Sequence, residues 1–172
     1  MRIETDRLIL REIDMERDFE PWCKAHADEE TVRYLGGEVL EPAKVWRQMA
    51  SIIGHWQIRG YGFFSVEEKA SGDWVGHVGP WYPEGWPGRE IGWTIAREHW
   101  GTGFATEAAH ACLEYVFDTL GWERVIHVIL PGNEASIAVA RKIGSEFLYP
   151  QERLPGVWDG TVLIYGQEAP AR

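Results

Sequence analysis

The stretch Arg89–Ala109, REIGWTIAREHWGTGFATEAA, reads as a strand, a glycine-containing loop and a helix start in immediate succession. Arg89–Ile95 is rich in β-branched and aromatic residues and predicts a strand. Phe104–Leu120 carries the clearest helical period in the chain. Phe104, Ala108, Ala111, Cys112, Tyr115, Val116 and Leu120 make one apolar stripe, and Glu107, His110, Glu114 and Asp118 make the polar face. Between them, Trp100-Gly101-Thr102-Gly103-Phe104-Ala105 sets successive backbone N–H groups beside the positive end of a helix dipole. Such a turn binds a phosphate or pyrophosphate through amides and needs no lysine. Gly101 and Gly103 let the backbone curl and approach an anion with no Cβ in the way. A tight strand-to-helix connection with no ligand has the same appearance, so the loop alone does not decide. A dinucleotide fold would require a third glycine at Thr106 and a strand–helix–strand start. Antiparallel strands precede the loop instead, and that reading fails.

Outward from this stretch the order is regular. Arg7–Arg11 predicts a first strand, and Asp14 caps a helix over Met15–Ala27 that contains Pro21. Glu41-Pro42 opens a second helix with Val45, Met49, Ile52, Ile53 and Trp56 on one side and Gly60 as its stop. Tyr61–Glu68 and Trp74–Trp81 are strands joined through a turn at Lys69–Asp73. After the central helix, Arg124–Leu130 (RVIHVIL) is a strand of the kind buried on both faces. A short helix over Ala135–Ile143 follows, then two strands, Glu146–Leu154 and Trp158–Tyr165. The fold class is α+β: a mixed, mostly antiparallel seven-stranded sheet flanked by about four helices, in a single domain over 1–172. The crossover helix makes the fourth and fifth strands a parallel pair, with a ligand crevice at their carboxyl ends.

Three separated segments carry a resemblance to a known family. GTGFATEA after EIGWTI, then WERVIHVI, then NEASIAVARKIG resemble the GNAT superfamily of acetyl-CoA-dependent N-acetyltransferases. TDRLILRE at the start is similar to its RimJ/RimL-type branch, which acetylates protein N-terminal amines and small amines. The resemblance implies acetyl-CoA as cosubstrate and direct attack by an amine in a ternary complex. It places the pantetheine arm along Trp93, Thr94 and Ile95, with a backbone N–H there on the thioester oxygen. The pyrophosphate falls to Trp100, Gly101, Thr102, Gly103, Phe104, Ala105 and Thr106. Asn133 is a pantetheine contact, and Ser136 lies near the thiol. Two positions depart from the family pattern: Trp100 stands where Gln or Arg is usual, and Thr102 where Lys is common. The family's tyrosine acid, seven residues after the asparagine, is Ala140 here, and Ser136 is the substitute. Glu90 is the expected general base. A strand-end charge paired with Arg89 or Arg124 is the plain alternative for it, as a hydroxyl satisfying a helix-start N–H is for Ser136. The other functions weighed are an acyl-CoA-binding module without catalysis and an antibiotic-modifying acetyltransferase.

Composition narrows the partners. Lys and Arg number 17 against 27 Asp and Glu, a formal charge of −10, which disfavours nucleic acid and suits a cationic acceptor such as an amine. Two cysteines are too few for a disulfide scaffold, and the six histidines show no metal-ligand spacing, so no metal is expected. No apolar run is long enough to span a membrane, and the expected location is the cytoplasm. A homodimer is the expected assembly if there is one. Ten tryptophans are present, of which Trp86 and Trp158, with Trp81 and Tyr82, are expected to frame the acceptor side.

Overall fold

The structure is a computed structural model that describes residues 1–154 and 158–171. Its strands are β1 (Arg2–Glu4), β2 (Leu8–Arg11), β3 (Phe64–Glu68), β4 (Trp74–Trp81), β5 (Glu90–Ile95), β6 (Arg124–Ile129), β7 (Glu146–Gln151) and β8 (Val162–Glu168). They form one eight-stranded sheet in the order β1-β2-β3-β4-β5-β6-β8-β7. All neighbours are antiparallel except β5 and β6. The parallel pair thus joins the two segments expected from the sequence. The strand count is eight rather than seven because the three residues of β1 also pair, against Ile9–Arg11. Of the last two strands, β7 begins at Glu146 as expected but ends at Gln151, and β8 starts four residues later than expected and runs on to Glu168; Leu154 and Trp158 meet only in an isolated bridge, and residues 155–157 lie outside the described residues.

The helices are α1 (Met15–His26), α2 (Glu29–Val32), α3 (Pro42–Arg59), α4 (Phe104–Glu114) and α5 (Glu134–Lys142). Local chemistry explains their ends. Asp14 accepts from the N–H groups of Glu16 and Arg17, and Gly60 closes α3 in the left-handed conformation at φ 78°. The stripe read over Phe104–Leu120 is buried as expected through Val116, but its last turn, Tyr115–Thr119, winds as a π-helix. No helix of the described residues is long and apolar enough to cross a membrane.

Two cores sandwich the sheet. On one face α4 lays Phe104, Ala108, Cys112 and Val116 against Leu8, Leu10, Phe64, Val66, Val75, Val78 and Ile91. On the other, α1 and α3 bring Trp22, Val45, Met49 and Ile52 against Trp74 and Ala96. Val75 and Val78 share the first face while Trp74 and His77 share the second. Strict alternation forbids that arrangement, and a bulge at Gly76 permits it. A Cβ there would stand 2.2 Å from the Thr94 carbonyl oxygen, so only glycine fits.

Asp18 fixes α1 to the sheet. It is fully buried and accepts from Arg11 Nη1 and Nη2 at 2.9 and 2.7 Å, from Ser65 Oγ at 2.6 Å and from the Asp14 N–H at 2.9 Å. Both carboxylate oxygens are hydrogen-bonded and the charge is paired, the condition under which a buried ion is tolerated.

Candidate active site

β5 and β6 run side by side but pair in register only at Glu90 and Ile126. Beyond that point side chains occupy the ladder positions. His127 donates from Nδ1 to the Ile91 carbonyl at 2.7 Å, since a carbonyl can only accept. Its Nε2 then accepts from Ser145 Oγ at 2.8 Å, and Ser145 is held by Gln167 Nε2 at 2.9 Å. Burial lowers the His127 pKa to about 4, so the ring is neutral at pH 7. The Val128 N–H, meanwhile, donates to Glu90 Oε1 at 2.9 Å. The strands are thereby wedged apart.

In the antiparallel pairing with β4, His77 opposes Thr94 and Ala96 N–H reaches Val75 O, so residues 94 and 96 direct their backbone groups to β4. The groups of Ile91, Trp93 and Ile95 therefore face the split. Ile91 O is taken by His127 and Ile95 O by Trp100 Nε1 at 2.7 Å. Trp93 lies between them with its main chain turned toward the opening. Trp100, in place of the family's Gln or Arg, thus folds its indole back onto the strand while staying half exposed.

The glycine loop follows. Gly101 and Gly103 adopt φ 76° and 86°, the left-handed region where a side chain is strained. Gly103 precedes α4 and no side chain caps that end. Phe104 N–H has only a long 3.4 Å contact with Thr102 Oγ1, and the first regular helical bond is from Glu107 N–H to Gly103 O. The Ala105 and Thr106 N–H groups have no partner among the described residues. The loop is braced from behind: Arg7 donates to Thr102 O at 3.0 Å and pairs with Glu107 at 2.6 Å.

A cleft of about 550 Å³ runs along this edge. Trp93, Thr94, Ile95, Trp100, Gly101, Gly103, Phe104, Ala105, Thr106, Asn133 and Ser136 all line it. Thr102 does not; its hydroxyl donates to His99 O at 2.7 Å and its carbonyl is held by Arg7. Lys142, near the end of α5, also lines the cleft. Sequence reasoning missed it because helical phase alone does not show that α5 docks beside the loop. Amides, glycines without a Cβ and one ammonium group suit a pyrophosphate.

A second cavity of about 370 Å³ adjoins the first and shares Tyr34, Leu35, Trp93, Thr94, Asn133 and Ser136 with it. Glu90 lines this cavity and is 6% exposed. Burial pushes its pKa up to about 7, against the Val128 N–H and Trp86 Nε1–H bonds that favour the charged form. The Trp86 bond is 2.6 Å. Neither arginine considered from the sequence pairs with Glu90. Arg89 lies over the Trp122 ring, and Arg124 faces Glu168 at 4.0 Å.

Asn133, at the N-terminus of α5, accepts the Ser136 N–H at 3.1 Å. The helix cap is therefore Asn133, and the Ser136 hydroxyl instead accepts from Trp93 Nε1 at 3.2 Å. That leaves the hydroxyl proton of Ser136 available to a ligand. Of the four aromatic residues expected to frame the acceptor side, Trp81 and Trp86 line the second cavity. Trp158 packs instead against Ile126, Leu154 and Ile164, and Tyr82 against Arg59 and the main core. His99 sits on the rim of the first cleft, and Cys112 is sealed in the core, where burial raises its pKa.

The comparisons agree with this geometry. Residues 7–146 match the family model described as the acetyltransferase (GNAT) domain. The uncharacterized protein YkkB of Bacillus subtilis (strain 168) is 36% identical over 115 residues; the match covers 64% of this chain and 64% of that protein. The uncharacterized N-acetyltransferase YoaA of the same organism is 32% identical over 146 residues, covering 83% and 81%. Among solved structures, the acetyltransferase from Agrobacterium tumefaciens str. C58 superposes with a TM-score of 0.84 at 26% identity, covering 98% and 94%.

Proposed function

The chain belongs to the GNAT acetyltransferase family, and from that premise we propose that it carries acetyl from acetyl-CoA to a primary amine, a protein N-terminal amine or a small amine, as in the RimJ/RimL-type branch. The observation that carries this reading is the placement of Glu90. A carboxyl group with a pKa near 7 lines the same split as the Trp93 main chain and the Ser136 hydroxyl, and that split opens into the cleft of free amides.

Each step then has a residue. The loop from Trp100 to Thr106, with Lys142, holds the diphosphate, and the open edge of Trp93 and Ile95 receives the pantetheine arm as an added strand. Acetyl-CoA supplies the activated acyl group. Glu90, as carboxylate, takes the proton that an ammonium must lose before its nitrogen can attack. As the carbonyl becomes tetrahedral, the Trp93 N–H donates to its oxygen. When the carbon–sulfur bond breaks, Ser136 gives its proton to the thiolate and takes in return the second proton that the acylated nitrogen sheds, so the amide forms and the hydroxyl is restored. A thiol pKa near 8.5 also lets the thiolate depart before it is protonated.

The test is free-thiol release from acetyl-CoA with a panel of amines. Amine-dependent release that falls by about 10²-fold or more in Glu90→Gln supports the proposal. Binding of acetyl-CoA with no release for any amine supports a binding module instead.

A further inference from the structure

The cavity in front of Glu90 carries information about the amine itself. Beyond β5 and β6 its walls include Tyr34, Phe63 and Trp86, with His77 and Trp81 from β4. Among the described residues lining it, Glu90 alone bears an ionisable carboxyl, and there is no Lys, Arg or Asp. The two histidines in the lining, His77 and His127, are kept neutral by burial. His77 is also fixed as a flat wall, stacked on Trp22 at 4.2 Å and 7° with the Phe63 ring edge-on at 5.2 Å. From α3, Gln48 and Ser51 supply the polar contacts; Gln48 Oε1 is used by Trp22 Nε1, which leaves its amide hydrogens for a ligand.

From this arrangement we infer that the acceptor is a monoamine with an uncharged, apolar body, an arylalkylamine or a branched alkylamine, rather than a polycation. The inference deepens the acetyl-transfer reading and rests on it. One carboxylate serves one ammonium group, which it both attracts and deprotonates. A second ammonium inside the cavity would lose its hydration and meet no counter-charge. Aromatic walls reward the opposite kind of molecule, because they gain from buried apolar area and from a single cation at the ring faces. A volume of about 370 Å³ admits a ring and a short alkyl chain, at the small end of ligand sites.

The experiment has a kinetic arm and a binding arm. Thiol release is measured with 2-phenylethylamine, isoamylamine, spermidine and kanamycin at fixed acetyl-CoA. In parallel, binding of 2-phenylethylamine and of spermidine to the CoA-saturated protein is followed by calorimetry. The expected result is a kcat/KM for 2-phenylethylamine at least about tenfold above that for spermidine or kanamycin. Phe63→Leu should raise the KM for 2-phenylethylamine about threefold or more and leave that for acetyl-CoA within about twofold. Equal or better turnover of spermidine or kanamycin overturns the inference while leaving acetyl transfer standing. Absence of thiol release with every amine, with CoA binding intact, overturns acetyl transfer itself. In that case heat from 2-phenylethylamine but not spermidine still supports the assignment of the cavity, and the reverse overturns it.

Discussion

At Glu90, burial raises the pKa to about 7 although Val128 and Trp86 both donate N–H groups to the carboxylate. As a base it works when deprotonated, so kcat should rise with pH up to about 7 and level off above. A kcat–pH profile checks this, and in Glu90→Gln that limb should vanish along with about 10²-fold or more of the rate. The same shift bears on stability. An unfolded glutamate releases its proton near 4.5, while the folded one holds it to about 7. The stability that the protonated folded form confers is fully present below about 4.5 and is lost as pH rises through about 7. The loss is on the order of 3 kcal/mol at most. Denaturant titrations at pH 5 and pH 8 should therefore show a larger drop for the wild-type chain than for Glu90→Gln. At Ser136 the hydroxyl accepts from Trp93 Nε1 and keeps its own proton free. Ser136→Ala should lower kcat by about 10²-fold with little change in the KM for acetyl-CoA, measured by thiol release. Both residues were legible in the sequence as candidates. Their partners were not, because Val128 and Trp93 reach them only across the sheet and Trp86 only through the fold of the loop before β5.

Among the elements, α1 and the glycine loop make the sharpest expectations. Asp18 holds α1 to β2 and β3 through Arg11 and Ser65. Asp18→Ala leaves the Arg11 guanidinium, itself only 14% exposed, without that counter-charge. The variant should lose about 3–5 kcal/mol in a denaturant titration. Gly103→Ala meets no clash, since its nearest neighbour is Arg7 Nη2 at 3.5 Å, but it forces a side chain into φ 86°. Its cost should be about 1–2 kcal/mol, felt mainly as weaker CoA binding. Elements whose signals are local were readable: the Asp14 cap, the Gly60 stop and the apolar stripe of α4 each sit within a few residues of what they specify. The rest depends on partners. β1 is three residues long and exists because β2 pairs with it, and the Gly76 bulge is set by the approach of Thr94 and Ile95. The π-helical turn at Tyr115–Thr119 likewise leaves no trace in the apolar stripe, which continues through it.

For the whole molecule, the account rests on one opening. The parallel pair follows from the sequence, and so does the position of a crevice at its carboxyl end; the place of β8 between β6 and β7 does not. The width of the crevice does not, because His127 and Glu90 set it with side chains that take the place of ladder bonds. In the sequence His127 is one polar residue interrupting RVIHVIL, a signal that a buried strand rarely carries without use. The split, the free amides of the loop and Lys142 line two adjoining cavities. The most direct measurement is an isothermal calorimetric titration of the folded chain with CoA and with acetyl-CoA. The account predicts saturable binding of each, weakened about tenfold in Gly103→Ala. No heat from either compound, up to millimolar concentration, would contradict it.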